Sequence, residues 1–299
     1  TLVFLIFRSI DLEKINIELI FKVLFITFII TILWGLFNFL NGEQFIKLKS
    51  VGSANRSAVY ISLMFVLAGN LLYIKSSINK YIIYATLFLS LLGIIFGGSR
   101  MAIYTLPILI FIMLFLNNKL NFRNVVYIGF GLVLILCITI FMFKDSYFTK
   151  KILTGFSDIN RIQLWLSTIY IWSEHNFLFG IGVGNSILFD VRDYFPNSLM
   201  HHIDNAHNTF LDMLLERGVL GLTTYLMFIS SVFYQLIKLK SKYKSLATYY
   251  NIGILFFAAT FIMSFANITF RYEFALLTVV IWGILLNKSL IKERIEVRV

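Results

Sequence analysis

The chain has 299 residues, 59% of them hydrophobic, with a mean hydropathy of +0.84 and a formal net charge of +11. That apolar share lies far above that of a soluble domain and excludes one. The basic excess does not gather on one face but flanks apolar runs, which excludes a nucleic-acid module and fits residues that set membrane topology.

In chain order, TLVFLIFR (1–8) resembles the tail of an earlier spanning helix, so further residues are expected upstream. Eight spanning helices are expected, at roughly 17–40, 57–74, 81–96, 101–117, 124–143, 218–237, 248–267 and 272–287. Each approaches the ~20 apolar residues that cross a hydrocarbon core about 30 Å thick. Cys137 lies inside one such run and offers no disulfide framework.

The connecting segments alternate in character. KSSINK (75–80), NNKLNFR (117–123), KLKSKYK (238–244) and the tail KSLIKERIEVRV (288–299) are short and rich in Lys or Arg, the mark of cytoplasmic loops. The opposite side then receives 41–55, the turn GGSR (97–100), NITFRYE (267–273) and a long segment, 144–217, that holds all four histidines. A long polar segment among short turns is more often functional than a mere connector. The expected fold is an all-α integral membrane protein in three parts. Helices with short loops occupy 1–143, an outward loop with short helices and the site motif occupies 144–217, and helices with a basic cytoplasmic tail occupy 218–299.

Three segments carry chemistry. In GGSRMAIYTL (97–106), Arg100 stands where an outer turn enters a helix. Its planar guanidinium suits phosphate, although an arginine at that depth also suits lipid head groups. In INRIQLWLSTIYIWSEHNFLFGIGVGN (159–185), Arg161, Trp165, Thr168 and Trp172 fall on one helical stripe, as in a helix lying at head-group level. The glycines at 180, 182 and 184 lack the strand and lysine of a nucleotide loop and read as a flexible turn.

The third segment is HHIDNAHNTFLDMLLERGVLGL (201–222). Asp204 or Asn205 is expected to cap a helix whose first turn holds His207, in a field that leaves the imidazole neutral and able to act as a base. Two other readings stay open: an interfacial histidine bonded to the loop, and a metal held by His201 or His202 with Asp204 and His207. The spacing matches no established zinc pattern.

HNTFLDMLLERGVLGL resembles the signature of the O-antigen ligase and polymerase family: His-Asn, an apolar helix, Glu and two glycines. SANRSAVYISLMF (53–65), GGSRMAIY (97–104) and RIQLWLSTIYIWSEHNFLFGIGVGN (161–185) resemble the same family in the same order. The resemblance implies a multi-pass glycosyltransferase of the bacterial inner membrane, with its site facing the periplasm or outside. It would move a glycan from a polyprenyl diphosphate carrier to an acceptor hydroxyl, inverting the anomeric centre and using no metal or other cofactor. The acceptor is a lipid A-core in ligases and another carrier-linked glycan in O-antigen or capsule polymerases. Carried onto this chain, the resemblance implies diphosphate binding by Arg100 and Arg161, base assistance by His207, and supporting roles for Asn208 and Glu216. Partners would be the donor, the acceptor and the bilayer, with no nucleic acid. A transporter or flippase for an anionic or lipid-linked sugar is the competing class, but it would place ionisable groups at the bilayer midplane, where these runs carry almost none. A scaffold in envelope synthesis, the third class, predicts that no single His or Arg is indispensable.

Overall fold

The computed structural model describes residues 2–9, 17–48, 53–124, 126, 129–131, 159–198, 200–269 and 272–287. Its α-helices are α1 (Leu2–Ser9), α2 (Ile17–Leu40), α3 (Ala54–Leu71), α4 (Lys80–Phe96), α5 (Arg100–Leu116), α6 (Ile159–Glu174), α7 (Thr209–Lys242), α8 (Ala247–Ser264) and α9 (Tyr272–Leu285). Among the described residues there is no strand, only an isolated antiparallel bridge between Asp190 and His202. The expected span 124–143 falls almost wholly outside them, as do Cys137, residues 144–158 and the tail 288–299.

Three helices combine the length and apolarity of a bilayer crossing: Ile17–Leu40, Thr209–Lys242 and Lys244–Ser264. Lys80–Phe96, Arg100–Leu116 and Phe274–Leu285 are apolar but shorter. α2 illustrates how an apolar helix finds an inside. Phe21, Phe25, Phe28 and Ile32 are buried at spacings of four, three and four, while Leu19, Val23, Ile26, Ile30 and Leu33 on the other face stay exposed. Both faces are apolar, so shape rather than polarity selects the buried one, as expected where the outer solvent is lipid.

At the centre runs α3, which buries fourteen of its eighteen residues and packs against α4, α5, α8 and α9. Ser53 caps it, accepting from the Arg56 amide at 3.4 Å. One end of the bundle is tied by carboxamides: Asn70 donates to the Thr248 carbonyl (2.6 Å), Asn117 to Asn70 Oδ1 (2.8 Å) and Asn251 to Asn117 Oδ1 (3.1 Å). At the other end the 41–48 segment joins the α4–α5 turn through Ile46 N–H to the Phe96 carbonyl (3.0 Å), and joins α3 through Leu48 N–H to Ser57 Oγ (3.0 Å). Gly98 holds φ +71° under the Phe45 ring, where a Cβ would lie 2.3 Å from the ring carbon Cδ1. With 200–208 and 267–268, which share a cavity with 53–56, that second end brings together parts of the segments expected on one side of the membrane.

The helix of 209–242 runs farther than the expected span, which began at 218. Gly218, at φ 64° and ψ −167°, breaks it without ending it. The glycine-bearing turn 177–184 splices into the break. Val219 and Leu220 N–H donate to the Phe177 and Leu178 carbonyls (3.1 and 3.2 Å), and the Leu215 and Glu216 carbonyls accept from Ile181 and Gly182 N–H (2.9 and 3.0 Å). The flexible turn expected at 180–184 is thus a fitted piece: every glycine in it has positive φ, and Gly180 and Gly218 meet backbone to backbone.

Candidate functional site

The site lies where α5, α6, the start of α7 and the 265–268 segment meet. α5 opens on Arg100 behind Ser99, which makes no side-chain cap. Ser99 is 1% exposed, and its Oγ meets no hydrogen-bond partner among the described residues. A cation in the first turn opposes the helix dipole, so the free amides and the guanidinium together favour an anion.

α6 buries Leu164, Ser167, Thr168 and Ile171 and exposes Ile162, Leu166 and Ile169. The head-group-level helix expected from the Trp stripe is corrected in one respect: the tryptophans face the chain's own loop, and aliphatic residues face out. Trp165 Nε1–H donates to the Ala206 carbonyl (2.9 Å) and Trp172 Nε1–H to the Phe177 carbonyl (3.1 Å). The long segment has its own small core of Leu164, Ile171, Val191, Ile203 and Leu215, against which Trp172, Phe189 and Phe195 pack. Tyr194 braces it by donating to Glu174 Oε2 at 2.6 Å, and loss of water contact together with that bond pushes the phenol up to about 12. Arg192 forks onto Asp190 at 2.7 Å and holds its carboxyl well below the usual range.

The cap of α7 differs from expectation. Neither Asp204 nor Asn205 opens the helix. Asn208 does, accepting from Phe210 and Leu211 N–H at 2.9 and 3.2 Å and donating to the Phe265 carbonyl at 3.2 Å. Asn205 Oδ1 instead accepts from His207 N–H (3.1 Å), and Asp212 Oδ1 from Ala206 N–H (3.3 Å). His207 therefore stands one residue before the cap, outside the first turn, at φ 48°. Such a conformation in a non-glycine residue costs on the order of 1 kcal/mol and clusters at functional sites. Glu216, 1% exposed, accepts from Gly184 N–H (3.0 Å) and from Arg217 Nη1 (3.3 Å), locking the turn to the broken helix.

Two cavities share this region. The first, about 230 Å³, is mostly apolar and is lined by Arg100, Tyr104, Arg161, Trp165, Phe265 and Ala266, so it brings together both predicted arginines. The second, about 260 Å³, is the more polar of the two, with polar and apolar surface in similar share, and is lined by Asn55, Arg56, Asp204, Asn205, His207 and Asn267, among others. They are back to back. Trp165 lines one and Leu164 the other; Ala266 lines one and Asn267 the other. The two cavities thus adjoin at α6 and at residues 265–268, with both predicted arginines on one and His207 on the other. The first cavity suits an anion carrying an apolar body, the second a hydroxyl-bearing group. His202, Asp204 and His207 line the polar cavity and His201 does not. Among the described residues no group of three or more His, Cys, Asp or Glu side chains is arranged to hold a metal ion.

Sequence reading gave Asn205 only a capping role, missed Asn267, and quoted Asn55 and Arg56 in a motif without giving them a role. No spacing marks Asn267; only the folding of the 265–269 segment against α7 brings it here.

Residues 85–226 match the O-antigen ligase family, which bears out the resemblance of the motifs at 97–104, 161–185 and 207–222; the motif at 53–65 lies outside the match. The matched segment contains Arg100, Arg161, His207, Asn208 and Glu216, and leaves Asn55, Arg56 and Asn267 outside. Among curated proteins none matches the chain.

Proposed function

Taking the chain as a helical membrane protein with an O-antigen ligase domain, and hence with a ligase- or polymerase-type activity, we propose that it is an inverting glycosyltransferase. It draws its glycan from a polyprenyl diphosphate carrier at the outer leaflet of the bacterial inner membrane, and the site faces the periplasm or outside.

The observation that carries this reading is the shared cavity of Arg100 and Arg161, which lie on different helices, set against the cavity of His207. The guanidinium groups grip the diphosphate while the apolar walls take the first isoprenyl carbons. Departure of the carrier needs little acid help, because the leaving group is already a stable anion that the arginines neutralise further. The acceptor hydroxyl is the poorer reactant. His207 removes its proton as the oxygen attacks the anomeric carbon from the face opposite the diphosphate. The new C–O bond forms as the old one breaks, its electron pair leaves on the diphosphate, and the configuration inverts. No step requires a metal. Ligase and polymerase chemistry are the same in this scheme and differ in the acceptor.

A flippase reading would need polar groups along the bilayer midplane, whereas these residues collect at one end of the bundle. The test is incubation of the purified chain with a polyprenyl diphosphate-linked glycan and saccharide acceptors. Transfer with inversion supports the reading, and carrier translocation without transfer overturns it.

A further inference from the structure

The stretch FLFGIGVGNSIL (177–188) holds no charged residue, although it belongs to the long segment expected to face water. Phe177, Phe179, Val183, Ile187 and Leu188 are each more than half exposed. Apolar side chains gathered on an outer surface mark a partner or a membrane.

The depth of this stretch can be read from α7. Residues 219–237 carry no charge, and Arg217 and Lys238 flank them. At about 1.5 Å per residue they cover about 28 Å, close to a hydrocarbon core of about 30 Å. The edge of that core therefore falls at the Gly218 break, with Glu216 and Arg217 just outside it. The Phe177 and Leu178 carbonyls accept from Val219 and Leu220 N–H, which sets them at the edge. Ile181 and Gly182 bond to the carbonyls of Leu215 and Glu216, at most three residues farther out. That is no more than about 5 Å, within the head-group layer of about 5–7 Å on each side of the core.

A chain entering so dry a layer must satisfy its own backbone groups. This turn does so. Leu178 and Phe179 N–H donate to Asn176 Oδ1 (3.1 and 3.0 Å), and Gly180 N–H donates to the Asn176 carbonyl (2.7 Å). Gly184 N–H donates to Glu216 Oε1 (3.0 Å) and Asn185 N–H to the Gly182 carbonyl (3.3 Å). Trp172, of a residue type enriched at membrane interfaces, lies 4.8 Å from Phe177 between ring centroids. The exposed Arg192 and Asp193 that follow mark the return to water.

We propose that residues 177–188 are a lipid-inserted anchor, whose exposed Phe, Leu, Val and Ile side chains enter the head-group and upper acyl layer of one leaflet. Lipid is the occupant, and not a protein partner, because the register with α7 fixes the stretch at a depth where lipid is the surrounding solvent. The anchor requires that α7 cross the bilayer and is independent of glycan transfer.

The test uses the full chain in nanodiscs of phosphatidylethanolamine and phosphatidylglycerol. With Cys137 replaced by Ser, an environment-sensitive fluorophore is attached in turn to Phe179→Cys, Val183→Cys, Asn197→Cys and Met227→Cys. Quenching by aqueous iodide is compared with quenching by lipids spin-labelled at the head group or along the acyl chain. The labels at 179 and 183 should be quenched by head-group and upper-acyl spin labels and should resist iodide several-fold better than the label at 197. The label at 227 should respond most to deep acyl spin labels. Iodide quenching at 179 and 183 equal to that at 197 overturns the anchor. Protection from iodide and from spin-labelled lipid alike also overturns it, since a second copy or another protein then covers the stretch. The unsubstituted chain gives an independent reading. A lipid carrying a photoactivatable group in its upper acyl chain should mark 177–188 as well as 219–237 and leave 190–198 unmarked. Marking of 219–237 without 177–188 overturns the assignment.

Discussion

Trp165 donates its indole N–H to the carbonyl of Ala206, 2.9 Å away and one residue before His207. Trp165 also lines the arginine cavity, so one side chain spans from the proposed donor site to the peptide that aims the histidine. Replacing it by Phe keeps much of the ring and removes the bond. A neutral hydrogen bond contributes about 0.5–1.5 kcal/mol, so Trp165→Phe should slow transfer several-fold while the protein still accumulates in membranes. Turnover equal to wild type would show that Ala206 needs no such tether.

The break in α7 predicts a stability effect. At Gly218 an alanine Cβ would sit 2.3 Å from the Leu178 carbonyl oxygen, and at Gly180 2.4 Å from that of Leu215. Both positions also have positive φ, which penalises any side chain. Gly218→Ala and Gly180→Ala should each lower the melting temperature in detergent and reduce folded yield. Gly184, with φ +82° but open space around it, should tolerate alanine better than either. Equal tolerance at all three would mean that the splice between turn and helix is not rigid.

These glycines mark where sequence reading reached its limit. The apolar runs announced α2, α4, α5 and α8 because length and composition alone decide a lipid-facing helix. Arg100 and Arg161 were legible because a guanidinium beside apolar sequence demands a reason. The cap was misplaced because Asp204, Asn205 and Asn208 all have capping side chains, and the choice among them rests on a contact with Phe265, 57 residues downstream. The glycine turn was read alone, although its hydrogen-bond partners are the broken ends of a helix more than thirty residues later. Asn267 carried no local signal at all.

If Arg100 and Arg161 grip a diphosphate through paired N–H groups, lysine is a poor replacement at either position. Loss of one charge-assisted bond, about 1.5–3 kcal/mol, corresponds to roughly 10- to 100-fold in activity. Arg100→Lys and Arg161→Lys should each lose that much transfer while inserting normally. Full activity in both lysine variants would leave the arginines as anchors for lipid head groups.

The loop charges predict an orientation. With Cys137 replaced by Ser, a cysteine at Asn197 should react with an impermeant maleimide from outside, and one at Ser241 should not. The reverse pattern would place the cavities on the cytoplasmic side and remove the argument for an outer-leaflet donor.

His207 carries the sharpest prediction, because its backbone and its side chain can be tested apart. Its φ of 48° is a conformation glycine adopts without strain, so His207→Gly should be at least as stable as His207→Ala, which loses the same side chain but keeps the strain. Both His207→Gly and His207→Ala remove the proposed base, and general-base help is worth roughly 10²–10⁴ in rate, so transfer should fall by about that factor in each. His201→Ala, outside the cavity, should be mild, and His202→Ala, on its wall, should raise acceptor KM more than it lowers turnover. Glycan transfer should survive EDTA. If EDTA abolishes transfer and zinc restores it, then His202, Asp204 and His207 act as ligands, and the histidine serves a metal-bound hydroxyl instead of deprotonating the acceptor itself.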